Sequence, residues 1–192
     1  YMFMPKNPDL KPENMMNYEL SLGQTLLEGR LNAELSLFYI DGKDMIRVAK
    51  IDGKPKNVNT GEFTNKGIEA EVNYQILDNL SFHTNYSFLH QSDPIAGAPK
   101  HKFYAGTTYS PGRFTFNLAL QSIFGLYTDE ACTKKEDYTV MNAKVSYHFG
   151  PTKEKGMNLF VKGENLTATR YTINDGFPMP KATVMGGIDI AF

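Results

Sequence analysis

A chain of 192 residues has room for one domain of ordinary size, and 41% hydrophobic against 21% charged residues excludes a disordered chain. A net charge of −1, with no Lys/Arg run longer than Lys134-Lys135, excludes a nucleic-acid binder that works by broad phosphate neutralisation. Cys132 is the only cysteine, which excludes an internal disulfide and a thiolate metal cluster.

The sequence opens at Tyr1 without a basic n-region or an apolar h-region, so a secretory signal is expected to lie outside this chain. No apolar stretch approaches the roughly 20 residues that a transmembrane helix needs. The negative mean hydropathy would ordinarily point to a soluble protein. A membrane β-strand, however, alternates lipid-facing and lumen-facing side chains, and an average along it hides the apolar half.

Period-two alternation dominates, and no segment sustains a helical period. After a first strand near 16–27, Leu31, Ala33, Leu35, Leu37 and Tyr39 oppose Asn32, Glu34 and Ser36 at the start of a second that runs over 30–51. A third, 57–77, sets Ile68, Ala70, Val72, Tyr74 and Ile76 against Glu69, Glu71, Asn73 and Gln75. In a fourth, 80–92, Leu80, Phe82, Thr84, Tyr86 and Phe88 oppose Ser81, His83, Asn85 and Ser87. A fifth is placed at 99–110. In a sixth, 113–127, Phe114, Phe116, Leu118 and Leu120 oppose Thr115, Asn117 and Gln121. The seventh, 138–149, sets Thr139, Met141, Ala143, Val145, Tyr147 and Phe149 against Asn142, Lys144, Ser146 and His148, and two more follow at 156–171 and 182–192.

The connections alternate in length. Leu27-Glu28-Gly29, Leu77-Asp78-Asn79 and Ser110-Pro111-Gly112 are tight turns, and Gly150 to Lys155 is little longer. Asp52 to Pro55, Ser92 to Ala98, Thr128 to Asp137 and Thr172 to Lys181 are longer and rich in Gly, Pro or charge. Short turns on one rim and long loops on the other are what outer-membrane barrels show, with the short turns periplasmic. The fold expected is therefore all-β: an antiparallel up-and-down meander of about nine strands belonging to a larger transmembrane β-barrel. Its last strand runs towards the periplasm, and Tyr1 to Glu13 lies on the outside. Two strands longer than 20 residues should project above the membrane, which about 9–11 residues suffice to cross. Single-chain bacterial barrels have even strand counts, so an odd count implies that further strands lie outside this chain.

An ordered set of short motifs carries a family resemblance across essentially the whole chain. Asn7-Pro8-Asp9-Leu10-Lys11-Pro12-Glu13 with Tyr18-Glu19-Leu20 is followed by Phe38-Tyr39-Ile40-Asp41, Asn59-Thr60-Gly61 and Lys66-Gly67-Ile68-Glu69-Ala70-Glu71. Then come Asn85-Tyr86-Ser87-Phe88, Ala98-Pro99-Lys100-His101-Lys102 and Glu164-Asn165-Leu166-Thr167 with Tyr171. In this order they resemble the C-terminal barrel part of TonB-dependent receptors. The ending is similar too: Phe192, with Ile190, Ile188 and Val184 on its face, resembles the signal read by the barrel-assembly machinery. The resemblance implies a bacterial outer-membrane importer of a scarce nutrient, a metal chelate such as a ferric siderophore, haem or cobalamin. It also implies energy from the TonB complex and a plug, both acting through an N-terminal part absent from residues 1–192. No cofactor and no nucleic-acid partner are expected, and outer-membrane lipid is.

Glu34, Glu69, Glu71, Lys144, Lys162 and Glu164 fall on expected inward faces, as substrate or plug contacts or simply as a solvated wall. His83, His90, His101 and His148 are scattered, with no spacing that would bring two imidazoles to one metal within an element, so no metal site is assigned. His90, near the outer rim, is the one that could serve a haem or iron, or be an ordinary polar barrel or loop histidine. Tyr39, Tyr74, Tyr109, Tyr127, Tyr138 and Tyr147 near strand ends suit two interfacial girdles. The ligand-facing candidates are the loop Pro94 to Pro99 with His90 and Asp93 before it, the acidic-basic stretch Asp129 to Asp137 with Asp129 and Glu130, and Asn174 to Pro180 with Asn174, Asp175, Phe177 and Met179. These loops could equally be shields. No nucleophile elbow or phosphate loop supports an enzyme. The rival reading is a soluble antiparallel barrel or sandwich that binds a small ligand, with its apolar rows turned into a dry core.

Overall fold

A computed structural model describes residues 6–150 and 155–191. Its strands in chain order are β1 (Asn14–Leu26), β2 (Leu31–Lys43), β3 (Ile46–Ile51), β4 (Lys54–Asn59), β5 (Glu62–Leu77), β6 (Leu80–Gln91), β7 (His101–Tyr109), β8 (Phe114–Tyr127), β9 (Lys135–Phe149), β10 (Gly156–Glu164), β11 (Thr172–Asn174), β12 (Phe177–Pro178) and β13 (Thr183–Ala191). Nine of them form one sheet in the order β1-β2-β5-β6-β7-β8-β9-β10-β13, every neighbour antiparallel. The meander of nine strands follows the alternation in the sequence.

Two expected boundaries are corrected. The span 30–51 is not one strand: β2 ends at Lys43, Asp44 adopts a left-handed φ of 60°, and β3 begins a separate two-stranded hairpin with β4. The hairpin's tip is Asp52-Gly53 with φ of 51° and 77°, the paired positive angles of a tight turn whose twist matches its strands. No strand of the main sheet exceeds 16 residues, and what projects beyond it is this hairpin rather than two over-long strands. Likewise 156–171 stops at Glu164, because Asn165 and Ala168 take positive φ and turn the chain.

The short turns lie together at one end of the sheet. Leu27, Glu28 and Gly29 all have positive φ, closing β1 onto β2 in three residues, with Arg30 N–H donating to the Leu27 carbonyl at 3.1 Å. At Ser110-Pro111-Gly112 the Phe114 N–H reaches the Pro111 carbonyl at 3.1 Å.

Directly paired residues of an antiparallel ladder share a face. One face therefore reads Leu22-Leu35-Ala70-Tyr86-Phe103 across five strands, and Phe116-Val145-Val161 across three further on. The opposite face reads Ser21-Ser36-Glu69-Ser87-Lys102 and Asn117-Lys144-Lys162 in the same registers. The apolar face is bare. Leu20, Leu22 and Val161 are 59%, 64% and 56% exposed, whereas Phe63, Ile123, Leu126 and Val140 are the buried hydrophobic side chains among the described residues. Leaving one such side chain in water forgoes about 1.5–3 kcal/mol. A dozen of them outweigh the roughly 5–15 kcal/mol by which folded proteins are stable. A surface of this kind belongs in lipid, and the soluble barrel with a dry core is not the fold.

On the polar face, aromatic rings reach over glycines, Phe63 over Gly42, Phe38 over Gly67 and Phe160 over Gly187, each across a strand pair. The rings cover a stretch of backbone that has no side chain of its own.

Candidate functional site

At the end opposite the tight turns, four segments knit into one canopy. Arg47 on β3 forms a 3.0 Å ion pair with Asp93 and donates to its carbonyl at 3.1 Å, tying the β3–β4 hairpin to the β6–β7 loop. That loop reaches the β8–β9 loop through Gly97 N–H on the Tyr127 carbonyl at 2.9 Å and the Cys132 thiol on the Pro94 carbonyl at 3.3 Å. The β8–β9 loop holds the last segment through Asp175 N–H on the Thr128 carbonyl at 2.8 Å and an ion pair of Lys134 with Asp175. Tyr138 and Tyr171 stack beside it with centroids 4.0 Å apart.

Asp129 organises its own loop. Its carboxylate accepts from the Thr133 hydroxyl at 2.6 Å and from the backbone N–H of Thr133 and Lys134 at 2.9 and 2.8 Å. The Thr133 hydroxyl, and then the Lys134 N–H, hold the carboxyl below the usual carboxylate range. The hydrogen bond and charge of Asp175 hold Lys134 above the usual lysine range. Burial and the Asp129 charge raise the Cys132 thiol, which suppresses its thiolate.

The structure thus divides the ligand-facing candidates. Asp93 and Asp175 are engaged in holding loops to one another, with Arg47, which the sequence did not single out, and Lys134 as their partners, while Asp129 braces its own loop. Glu130, Asn174 and Phe177 are exposed, Phe177 on β12 and 73% so. Met179 is half-buried, its N–H on the Tyr171 carbonyl at 3.0 Å. His90 stands on β6 opposite Lys66 and shares the face of Phe88, pointing away from the polar face. Among the described residues no three His, Cys, Asp or Glu groups gather where a metal could sit.

The polar face is charged in patches. Glu34 and Glu71 pair directly with Glu69 nearby on β5, and Lys144 and Lys162 pair directly on β9 and β10. Like charges directly opposite repel, less so where water solvates them, and local contacts engage three of these groups. Glu71 accepts from Asn73 at 2.6 Å, Lys144 lies 4.3 Å over the Phe160 ring, and Lys162 pairs with Glu164 at 2.5 Å. His83 meets Asn73 at 2.5 Å and its ring packs 5.5 Å from Tyr104.

On the apolar face the rings gather in two zones. Tyr109, Phe116, Phe114, Tyr147 and Phe149 form a chain of ring contacts at the tight-turn end, with centroids 4.5–6.4 Å apart. Tyr18 and Tyr39 pair at 6.4 Å towards the canopy, where Phe88 and His101 also meet at 5.1 Å. Tyr138 does not belong to either zone, because its partner Ile123 places it on the polar face. Of the terminal residues expected to resemble an assembly signal, Ile188 and Ile190 are exposed on the apolar face opposite Leu159 and Met157. Phe192 lies outside the described residues.

A sheet with a lipid-facing side, a hydrated side, tight turns at one rim and a loop canopy at the other defines a wall of a transmembrane β-barrel. The family described as TonB dependent receptor-like, beta-barrel matches residues 1–166. The chain is 32% identical over 124 residues to the iron-regulated outer membrane virulence protein of Vibrio cholerae, covering 54% of this chain and 19% of that protein. It is 25% identical over 183 residues to the ferric-pyoverdine receptor PbuA of a Pseudomonas species, covering 84% and 22%. Among solved structures, the copper transporter OprC superposes with a TM-score of 0.77 at 17% identity, over 96% of this chain and 32% of that one. The chain belongs to the TonB-dependent receptor β-barrel family, a family of receptors and transporters, and its place is the bacterial outer membrane. It spans between 19% and 35% of the length of the curated relatives it matches.

Proposed function

We propose that residues 1–192 form the C-terminal part of the barrel of an outer-membrane importer that takes up a metal chelate, such as a ferric siderophore, haem or cobalamin, at the expense of energy from the TonB complex. The plug and the TonB contact reside in an N-terminal part of the whole receptor. The barrel wall acts as binding surface and conduit and not as an enzyme. Insertion relies on the barrel-assembly machinery reading the apolar terminal strand, Ile188, Ile190 and Phe192.

The observation that carries this reading is the loop canopy above a hydrated wall. Cross-linked segments from four connections make a rigid rim, and Glu130, Asn174 and Phe177 project from it towards arriving ligand. The ferric cargo of the pyoverdine receptor, whose sequence matches most of this chain, supports iron chelates first among the candidates.

Deleting the whole gene and testing growth on single sources of iron or cobalamin checks the proposal. Growth should fail on one source and return with the intact gene, and should not return when the TonB complex is absent. Unaltered growth on ferric siderophore, haem and cobalamin alike would overturn it.

A further inference from the structure

We propose that the outer rim of β6 to β9 binds the phosphate of an anionic lipid headgroup. A cleft of about 200 Å³ opens there, lined by His90, Lys100, Tyr127 and Lys135 with Pro94 and Gly125 among its neutral walls, and no carboxylate lines it. Two neighbouring basic groups of the canopy are held in ion pairs, Arg47 with Asp93 and Lys134 with Asp175. Among the described residues Lys100 and Lys135 form no ion pair. Their ammonium groups lie instead over aromatic rings, Lys100 at 6.0 Å from the Phe88 centroid and Lys135 at 5.0 Å from that of Tyr127. Asp137, the acidic group beside them, turns its carboxylate onto the Gly125 N–H at 2.6 Å. The positive φ of Gly125, 66°, bulges β8, and a Cβ there would stand 2.9 Å from that of Lys100, so the lysine is seated against bare backbone. Two ammonium groups and an imidazole without a counter-ion suit a phosphate, which accepts charge-assisted hydrogen bonds from several donors at once.

Position decides between a lipid phosphate and a free one. Along β8 the apolar face runs from Phe114 to Phe124 at the bulge, ten residue steps. At about 3.4 Å per residue and a tilt of about 45°, these rise about 24 Å, matching the apolar band of roughly 25 Å that such barrels present. Phe124 therefore marks the outer edge of the hydrocarbon, and the cleft begins one residue beyond it. Below it Phe88 and the 44% exposed Phe124 continue the apolar surface. A phosphorylated lipid places its head in the cleft and its chains along those rings, and only an amphiphile engages both. The inference rests on the outer-membrane location and not on the identity of any cargo.

The full-length receptor, purified in an uncharged detergent, is titrated with dioctanoyl phosphatidic acid, with dioctanoylglycerol as the tail without the phosphate, and with inorganic phosphate as the head without the tail. The phosphatidic acid should bind at least tenfold more tightly than either. Lys100→Ala with Lys135→Ala should abolish that preference, Lys100→Arg with Lys135→Arg should keep it, and Lys50→Ala with Lys54→Ala on the β3–β4 hairpin should leave it unchanged. Folding of each variant is read from its heat-dependent migration in detergent gels, and the Gln pair replaces the Ala pair if the latter does not fold. A folded Ala or Gln pair that retains the preference overturns the proposal, as does full displacement of the lipid by inorganic phosphate at equal concentration. Growth on metal chelates is a separate readout, so loss of lipid binding and loss of import are told apart.

Discussion

At the scale of single residues, Asn165 holds more of the outer rim than any charged group. It is buried, has a left-handed φ of 48°, and spends its whole amide. Oδ1 accepts from Thr169 N–H at 3.0 Å and the Thr167 hydroxyl at 3.1 Å. Nδ2 donates to the carbonyls of Thr169 and Pro180 at 2.8 and 3.0 Å. Its own N–H donates to the Asn142 side chain at 2.8 Å, which fixes the turn onto β9. Asn tolerates the left-handed region better than other non-glycine residues, so conformation and bonding favour the same residue. Asn165→Ala should weaken local order over residues 166–182 by about 2–4 kcal/mol, from lost hydrogen bonds worth about 1 kcal/mol each and a strained φ. Asn165→Asp, which keeps the acceptors and the backbone preference, should cost about half of that. Amide exchange of the segment in the full-length receptor measures both, and equal effects would sink the assignment. The sequence contains Glu164-Asn165-Leu166-Thr167 as a recognisable motif without saying why. Asn59 is another case: it clamps Lys11 through both its amide atoms at 2.8 and 2.9 Å, joining the motif at 7–13 to the one at 59–61. What stayed hidden were the pairings, Arg47 with Asp93 and Lys134 with Asp175, because each joins loops about forty residues or more apart whose approach only the closed rim decides.

At the scale of elements, the strands were legible because one row must meet lipid and the other water, which forces a period of two on every crossing. Their ends were less so. The alternation fades after Tyr39 without marking an end, and the break comes at Asp44 from a positive φ at a residue that is not a glycine. The contacts of ring on glycine were equally invisible, since Phe38 and Phe63 sit on the row expected to be polar. Their consequence can be measured. A methyl group at residue 42 meets the Phe63 ring, which is 6% exposed and has nowhere to go, so Gly42→Ala should lose about 1–3 kcal/mol. Gly187→Ala meets Phe160 at 2.6 Å, a ring only half-buried where Phe63 is buried, and should lose less. Gly23→Ala meets nothing within 4 Å and should stay within about 0.5 kcal/mol of the parent. Denaturant midpoints of the three variants should fall in that order, and a loss at residue 23 equal to that at residue 42 would remove the ring contacts from the account of sheet stability.

At the scale of the whole molecule, one division organises everything else: apolar side chains to the bilayer, polar ones to the interior of the barrel. It sets where the rings gather, why so few hydrophobic groups are buried, and why paired glutamates and paired lysines survive on one face. It also makes position along a strand and choice of face independent variables. Leu118 lies on the apolar face about midway between Phe114 and Phe124, hence near the middle of the hydrocarbon, and Asn117 is its immediate neighbour on the other face. Leu118→Lys should cost about 2–4 kcal/mol, as a cation placed at the midplane does. Asn117→Lys should cost no more than about 1 kcal/mol, since water reaches that side, although Lys144 stands opposite and adds repulsion that salt will screen. Ser122→Lys, on the apolar face one pair below the outer edge, should fall between them as the ammonium snorkels outward. Reversible unfolding of the full-length receptor in lipid vesicles gives the three values. If the lysine at 117 proves the costlier of the first two, the faces have been assigned the wrong way round, and the membrane orientation of every strand goes with them.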